Sequence, residues 1–432
     1  MKKFFRIGMT ALALMMATAL WAQTNIVVLS DTHVTGPGLV VKDGVAWQKE
    51  LAGDRKLLDF SQEVFDVLIE TMLSEKPDML LITGDLTKDG ELLSHQYVVS
   101  QLDRLREAGI KTFVIPGNHD FGTRHSLTFD GEQSSRAEVV SRQQFAELYR
   151  NHGYGADAQR DAASLSYCCE PAEGLMLIGI DSGAEGRVAE STLQWVCQQA
   201  DRGQQQGKRV LAMMHHALLP HFNAEDQIVP MSVVQDYETV RNRLADAGVQ
   251  VVLTGHIHIS DIAKDYNADL TRPIYDVSTG SIVSYPCDYR RLTFSKDPAQ
   301  LSITTSRITT LPNHPAFGTT AKDRLLEFLM SFVKQRIKND MIASVGANAL
   351  LIHAEGNEND SEDASNVLST LQLGKMFVSS SMKAKMAEHG LSWDMLEAIV
   401  TSIMTDTTNL GVEGREDQTN DLTLTIGLIS NN

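Results

Sequence analysis

The sequence has only four cysteines, Cys168, Cys169, Cys197 and Cys287, and none stands in a CxxC pair, which argues against a structural zinc site. Positive charge is also scarce: 38 Lys and Arg face 55 Asp and Glu, for a formal net charge of −17. Such a surface repels phosphate backbones, so nucleic acid is not a partner by charge, and any phosphorylated ligand must meet a local source of positive charge. Beyond the first 22 residues no stretch approaches the roughly 20 apolar residues of a spanning helix, so no stable membrane span is expected after them. The acidic run 355–363 lacks the loop-glycine spacing of an EF-hand and reads as a solvated loop. No internal repeat is evident.

What is present begins with a targeting pattern. Lys2, Lys3 and Arg6 precede an apolar stretch over 7–20, and small residues follow, with Ala17, Ala19 and Ala22 near the expected cleavage point. This is the layout of a signal peptide over 1–22, with an uncleaved anchor as the alternative, and it implies a periplasmic or secreted protein. Removing it strips three cations and no acid, which takes the formal charge to −20. Export also permits a disulfide, without indicating a pair. The 432 residues suffice for one large domain, expected over 23–311, and a smaller, mostly helical one of unknown role over 312–432.

Within 25–260 a unit recurs: a short Val/Ile/Leu run, a polar motif, then a helical pattern. The runs lie at 25–29, 78–82, 111–115, 175–180, 209–214 and 249–253, and their length and composition suit strands buried on both faces. Helical patterns fall between them, for example around Val64, Phe65, Leu68, Ile69 and Met72. The alternation predicts a layered α/β fold with a largely parallel sheet. Short runs at 274–277, 281–283, 290–294 and 301–307 predict a second sheet, giving two mixed sheets flanked by helices. After Pro312, 323–338 forms an amphipathic helical pattern through Leu325, Leu326, Phe328, Leu329, Phe332 and Val333, 370–405 is mostly helical, and 422–429 suits a last strand.

Five polar motifs follow five of the runs: Asp31-Thr32-His33, Gly84-Asp85, Gly117-Asn118-His119-Asp120, His215-His216 and Gly255-His256-Ile257-His258. In an open α/β sheet, loops at the carboxyl ends of strands converge on a ligand, so five separate motifs are expected to meet. Carboxylates, imidazoles and an amide oxygen without a thiolate form a mixed N/O set suited to Mn, Fe or Zn. Two such ions can clamp the attacking and leaving oxygens of a displacement at phosphorus. Two aspartates offset only part of their charge, which is how a very acidic chain can bind an anion.

The series DxH, GD, GNHD, H, GHxH resembles that of the calcineurin-like metallophosphoesterases, and GDLTKDG is closer to their bacterial cyclic-nucleotide and glycerophosphodiester phosphodiesterase branch. The resemblance covers roughly 25–310. It implies that Asp31, His33, Asp85 and His258 hold one divalent ion and that Asp85, Asn118, His215 and His256 hold the other, with Asp85 bridging. It further implies that His119 contacts the phosphate or protonates the leaving group, and that His216 stays off the metals. The remaining histidines, among them His95, His152, His221 and His353, are expected to be structural.

The sequence departs from the family in two places. The Ser/Thr phosphatases carry an Asp three residues after the bridging Asp to orient the catalytic His; here Lys88 stands there and Asp89 is one further on. The group that orients His119 is therefore open, with Asp120 a candidate. Two prolines common after the paired histidines are replaced by Ala217 and Leu218. The segment from Thr279 to Cys287 reads equally as a turn and strand or as a loop touching substrate. The expected activity is hydrolysis of a phosphodiester or phosphomonoester, a small molecule, by hydroxide held on two metals. The alternatives are a periplasmic nucleotidase, and a non-catalytic scaffold of the same fold, which would typically have lost ligands that are all kept here.

Overall fold

A computed structural model describes residues 23–229, 231–296, 299–337, 339–356, 362–375, 378–388, 390–405, 416–418 and 421–426. Residues 1–22, expected to be a signal peptide, and the end of the expected strand 422–429 lie outside the described residues. Two mixed sheets stack face to face. In one, Gln23–Leu29, Met79–Ile82 and Lys111–Val114 run parallel, and Asp288–Lys296, Ala299–Arg307 and Leu422–Thr425 extend it antiparallel from Gln23–Leu29. In the other, Leu175–Ile180, Arg209–Met214, Val251–Thr254 and Pro273–Ser278 run parallel, with Tyr167–Ala172 added on one side and Asp261–Tyr266 and Glu416–Gln418 on the other.

All six runs expected before 260 are strands, yet they do not form one sheet, and the later runs do not form a second by themselves. Three early strands go to each sheet and the late strands extend both. The physical reason is visible in the strands' two-residue period. Leu177, Leu211, Met213 and Leu253 pack inward against Ile26, Val28, Leu80 and Ile82, whereas Met176, Ile178, Val210 and Val252 pack under the helices Glu190–Gln205 and Tyr237–Asp246. Each strand is thus buried on both faces, at roughly 1.5–3 kcal/mol per fully covered Leu, Ile or Val. Hydrophobic runs of this kind specify double burial without specifying the sheet. The expected run at 281–283 is not a full strand: Ser281 bridges Ser30, its hydroxyl donating to the Asp31 carbonyl at 2.7 Å, and the chain turns at 282–283.

The four cysteines are free, so the permitted disulfide is absent. Among the described residues, no helix is long and apolar enough to cross a membrane. Among the described residues, five helices follow Ala299–Arg307: Phe317–Ile337, Asp340–Glu355, Glu362–Lys375, Ser380–Glu388 and Trp393–Met404. Of the expected apolar face, Leu325, Leu329 and Val333 are buried, while Phe328 and Phe332 stay partly open. The first two helices are tied to the sheets by polar pins. Arg324 makes a forked ion pair with Asp59 at 2.7 and 2.8 Å, and Glu355 takes the Tyr285 hydroxyl at 2.5 Å and Lys322 at 2.7 Å.

The chain then returns to the sheets. Glu416–Gln418 pairs with Asp261–Tyr266, and Leu422–Thr425 with Ala299–Arg307, so each sheet has one edge strand drawn from the end of the chain. Truncation after Thr310 should therefore expose two strand edges and uncover Phe317 and Leu424 contacts in the main core. The shortened chain is expected to aggregate, or to melt well below the full chain, by light scattering and thermal denaturation. Wild-type stability would show that the helical region is an independent module.

Candidate metal centre

The five motifs all sit at carboxyl ends of strands, and because both sheets point the same ends at one seam, the motifs meet there. Backbone bonds stitch the loops together: Asp31 N to Gly84 O at 3.1 Å, His33 N to Asp85 O at 2.9 Å, and Gly255 N to His215 O at 3.0 Å. Three glycines allow that approach. A Cβ on Gly84 would lie 2.5 Å from the His215 ring, on Gly117 2.2 Å from Asp85 Oδ1, and on Gly255 1.8 Å from Ser30 Oγ. Only Gly84 of the three also needs its positive φ, +100°, so close approach matters more here than turn geometry.

The side chains form two groups around Asp85. In one, His258 Nε2 lies 3.2 Å and His33 Nε2 3.8 Å from Asp31 Oδ1, and His33 Nε2 is 3.7 Å from Asp85 Oδ2. In the other, His215 Nε2 lies 3.4 Å from Asp85 Oδ2, 3.0 Å from Asn118 Oδ1 and 3.2 Å from His256 Nδ1. One oxygen, Asp85 Oδ2, therefore faces both groups. All seven residues implied by the family resemblance are brought together, and each group is compact enough to hold a metal ion.

Several observations test whether these residues suit metal ions. Asp31 Oδ1 is buried with no hydrogen-bond partner, while its Oδ2 accepts from Ser30 Oγ and His256 N. Asp85 Oδ1 takes the His119 amide at 2.7 Å, while its Oδ2 faces His33 and His215. His33 and His258 present Nε2 to Nε2 at 3.3 Å, an arrangement two lone pairs adopt around a shared cation. The Thr83 carbonyl, 2.9 Å from His215 Nδ1, fixes the tautomer that leaves Nε2 free to ligate. Asp31, His33, Asp85, His256 and His258 all have φ between 40° and 70°. The left-handed region costs a non-glycine residue on the order of 1 kcal/mol, and five such residues at one place mark a functional site. The donor set fits two divalent ions.

Charge tells the same story. Burial pushes the Asp85 carboxyl up, but His215 and His119 outweigh it and hold the group well below the carboxylate range. Burial pulls His215 down, yet Asp85 and Asp31 raise it to about 9. Burial and the neighbouring His215 lower His256 to about 3. In the protein alone, then, the Asp85 carboxylate is anionic and faces a His215 imidazolium, a positive charge that a metal would replace.

His119 stands beside these groups, its ring 5.1 Å from that of His33, and its Nδ1 donates to Asp89 Oδ1 at 2.8 Å. Asp89, not Asp120, orients it. Burial would raise Asp89, but the bond from His119 and the charge of Lys88 bring it to about 2. Lys88 is itself buried, 2.7 Å from Asp89 and 3.1 Å from Glu50, so the residue that breaks the family spacing serves as the counter-ion of the orienting carboxylate. Asp120 instead ties loops, accepting the amides of Leu86, Thr87 and Gly117 at 2.8–3.1 Å. His216 stays off the centre, bonded through Nδ1 to Ser182 at 2.8 Å. His221 is held between Asp261 and Asp276 at 2.9 and 3.4 Å and is structural as expected.

A cavity of about 460 Å³ opens from this centre, with Asp85, His119, His256 and His258 at one end. Arg55 and Lys56 line it too, and sequence reasoning missed both because they lie in no motif. Tyr285 and Ser284 also border it, so the Thr279–Cys287 segment is both a turn and a cavity wall.

Residues 24–260 match the family model described as calcineurin-like phosphoesterase. The chain is 25% identical over 243 residues to a protein of Arcobacter nitrofigilis named "Probable glycerophosphodiester phosphodiesterase GpdQ", covering 54% of this chain and 71% of that one. It is 22% identical over 234 residues, with the same coverage, to a "Probable cyclic nucleotide phosphodiesterase" of Moraxella catarrhalis. A solved dimetal phosphatase from Danio rerio aligns with a TM-score of 0.45 at 12% identity, covering 66% of this chain and 96% of that one.

Proposed function

Because the chain belongs to the calcineurin-like phosphoesterase family and is a metal-dependent phosphoric ester hydrolase, we propose that it is an exported phosphodiesterase acting on a small phosphodiester. The observation that carries this reading is the pair of four-donor groups sharing Asp85 Oδ2, with His119 beside them. On this reading Asp31, His33, Asp85 and His258 hold one ion, and Asp85, Asn118, His215 and His256 hold the other. Bound there, two divalent ions would activate water and offset the phosphate's charge.

The chain's own residues do the rest. Arg55 and Lys56 bring two cations to a cavity in an otherwise acidic protein and attract the anionic ester. His119, held through Nδ1, has Nε2 left to donate a proton to the leaving oxygen, and Asp89 fixes that tautomer. Room in the cavity beyond His119 favours a diester, whose second organic group needs a place, over a monoester; the names of the two relatives agree. Residues 23–311 form the catalytic unit on this reading, and 312–432 shape access to it.

The test starts from expression of the full chain in a bacterial host. Protein recovered from the periplasm, shortened by cleavage near Ala19–Gln23, should contain two metal ions and hydrolyse bis(4-nitrophenyl) phosphate. Chelation should abolish turnover, and Mn, Fe or Zn should restore it. Full-length protein kept in the cytoplasm would refute export; reconstituted protein with no metal and no hydrolysis would refute the activity.

A further inference from the structure

Much of the cavity's lining is apolar. Leu325, Phe328, Leu329 and Phe332, spaced as one stripe of the helix Phe317–Ile337, form one wall, and Leu350 and Ala354 of the next helix continue it. The volume, about 460 Å³, lies in the range of sites that enclose a whole organic ligand and exceeds the needs of a phosphate with a short polar alcohol. We propose that this wall binds an alkyl or acyl chain, so that the substrate is an amphiphilic phosphodiester with its phosphate at the metals and its chain along the C-terminal helices. The inference rests on the phosphodiesterase reading above.

Three features favour a chain over a nucleoside or sugar. First, the wall is made of Leu and Phe side chains, which offer a base no hydrogen-bond partner. Of the polar groups nearby, the Tyr285 hydroxyl is engaged by Glu355 and Glu225 Oε2 by the His221 amide at 2.6 Å, while Ser232 Oγ is buried without a partner. Second, Phe328 and Phe332 remain partly open although Leu325 and Leu329 on the same face are buried, so the stripe is not fully covered by the protein's own core. Third, the two ends are joined at Arg55, whose guanidinium carbon lies 5.8 Å from the Phe328 ring centroid while its charge lines the phosphate end. A ligand spanning that junction must be anionic on one side and apolar on the other. The wall is also held in place by the Arg324–Asp59 and Tyr285–Glu355 pins, so little ordering is needed on binding.

The experiment uses metal-loaded full chain and 4-nitrophenyl methyl, butyl and octyl phosphodiesters at monomeric concentrations. The leaving group is constant, so differences report the chain. Each methylene that reaches the wall can raise kcat/KM up to about fourfold, and the octyl ester should exceed the methyl ester on the order of 10²-fold. Phe328→Ala should cut that ratio about tenfold, and Phe328→Leu should restore most of it. The same ratio should appear in calorimetric binding of octyl and methyl phosphonates, which needs no turnover. A flat ratio in both assays overturns the inference, as does a ratio unmoved by Phe328→Ala and Phe332→Ala. A nucleoside 4-nitrophenyl phosphodiester preferred over the octyl ester also overturns it. A steep binding ratio without hydrolysis of any ester supports the apolar site while removing the phosphodiesterase reading alone.

Discussion

Asp85→Ala should empty both metal sites and lower hydrolysis by at least about 10⁴-fold, beyond the loss of any single proton-transfer group. Asp85 Oδ2 lies 3.7 Å from His33 Nε2 and 3.4 Å from His215 Nε2, so it faces both groups. Without it each group keeps three donors, and the pair of cations loses the anion between them. Asn118→Ala removes an oxygen near His215 alone and should empty one site while the other stays filled. Thermal stability gives a second readout. Ions that bind only the folded chain stabilise it by about 2.7 kcal/mol at a hundredfold excess over Kd, so wild-type Tm should rise on adding Mn or Zn. The Asp85→Ala protein should show no such rise. Its metal-free Tm should fall below the wild-type value near neutral pH, because His215 and His119 lose the carboxylate that pairs with them and the His119 amide loses its acceptor. Two ions retained by Asp85→Ala would overturn the ligand assignment.

His119→Ala should keep both metals and the fold yet lose about 10²–10⁴-fold in kcat for esters with poor leaving groups. The ring contacts the centre only edge-on, and seven other residues already supply four donors to each group, so its removal leaves the cage intact. Nitrophenolate departs without a proton, so the loss should be smallest for nitrophenyl esters and largest for alkyl esters. Asp89→Asn should show the same leaving-group pattern at about 10–100-fold, because an amide in place of the carboxylate no longer enforces the Nδ1–H tautomer. An equal loss across leaving groups would assign His119 to charge stabilisation. A lost metal ion would make it a ligand.

Much of the centre could be read from order along the chain. A short Val/Ile/Leu run buried on both faces must end in a loop at the sheet's edge, and the polar motif follows within a few residues. The relation between Leu29 and Asp31, or Ile82 and Asp85, is therefore local, and local relations survive any error about which sheet a strand joins. That the seven candidate donors and His119 meet at one place was legible for that reason, although the division of the strands between two sheets was not.

The partners that act across the chain were decided by tertiary structure. Asp89 reaches His119 because the loop after Asp85 folds onto the GNHD loop, where Asp120 pins the Leu86 and Thr87 amides; nothing in the spacing distinguishes Asp89 from Asp120. Arg55 and Lys56 are ordinary surface residues in sequence and become cavity cations only where their loop crosses the seam. The helix Phe317–Ile337 announces an apolar stripe by its own period, but what that stripe faces depends on contacts far along the chain, such as Arg324 with Asp59, 265 residues away. Sequence alone determined the chemistry of the donors and their placement at strand ends, because both follow from short-range geometry. Tertiary structure alone decided what orients His119 and what lines the cavity, because those contacts join segments whose separation along the chain carries no periodic signal.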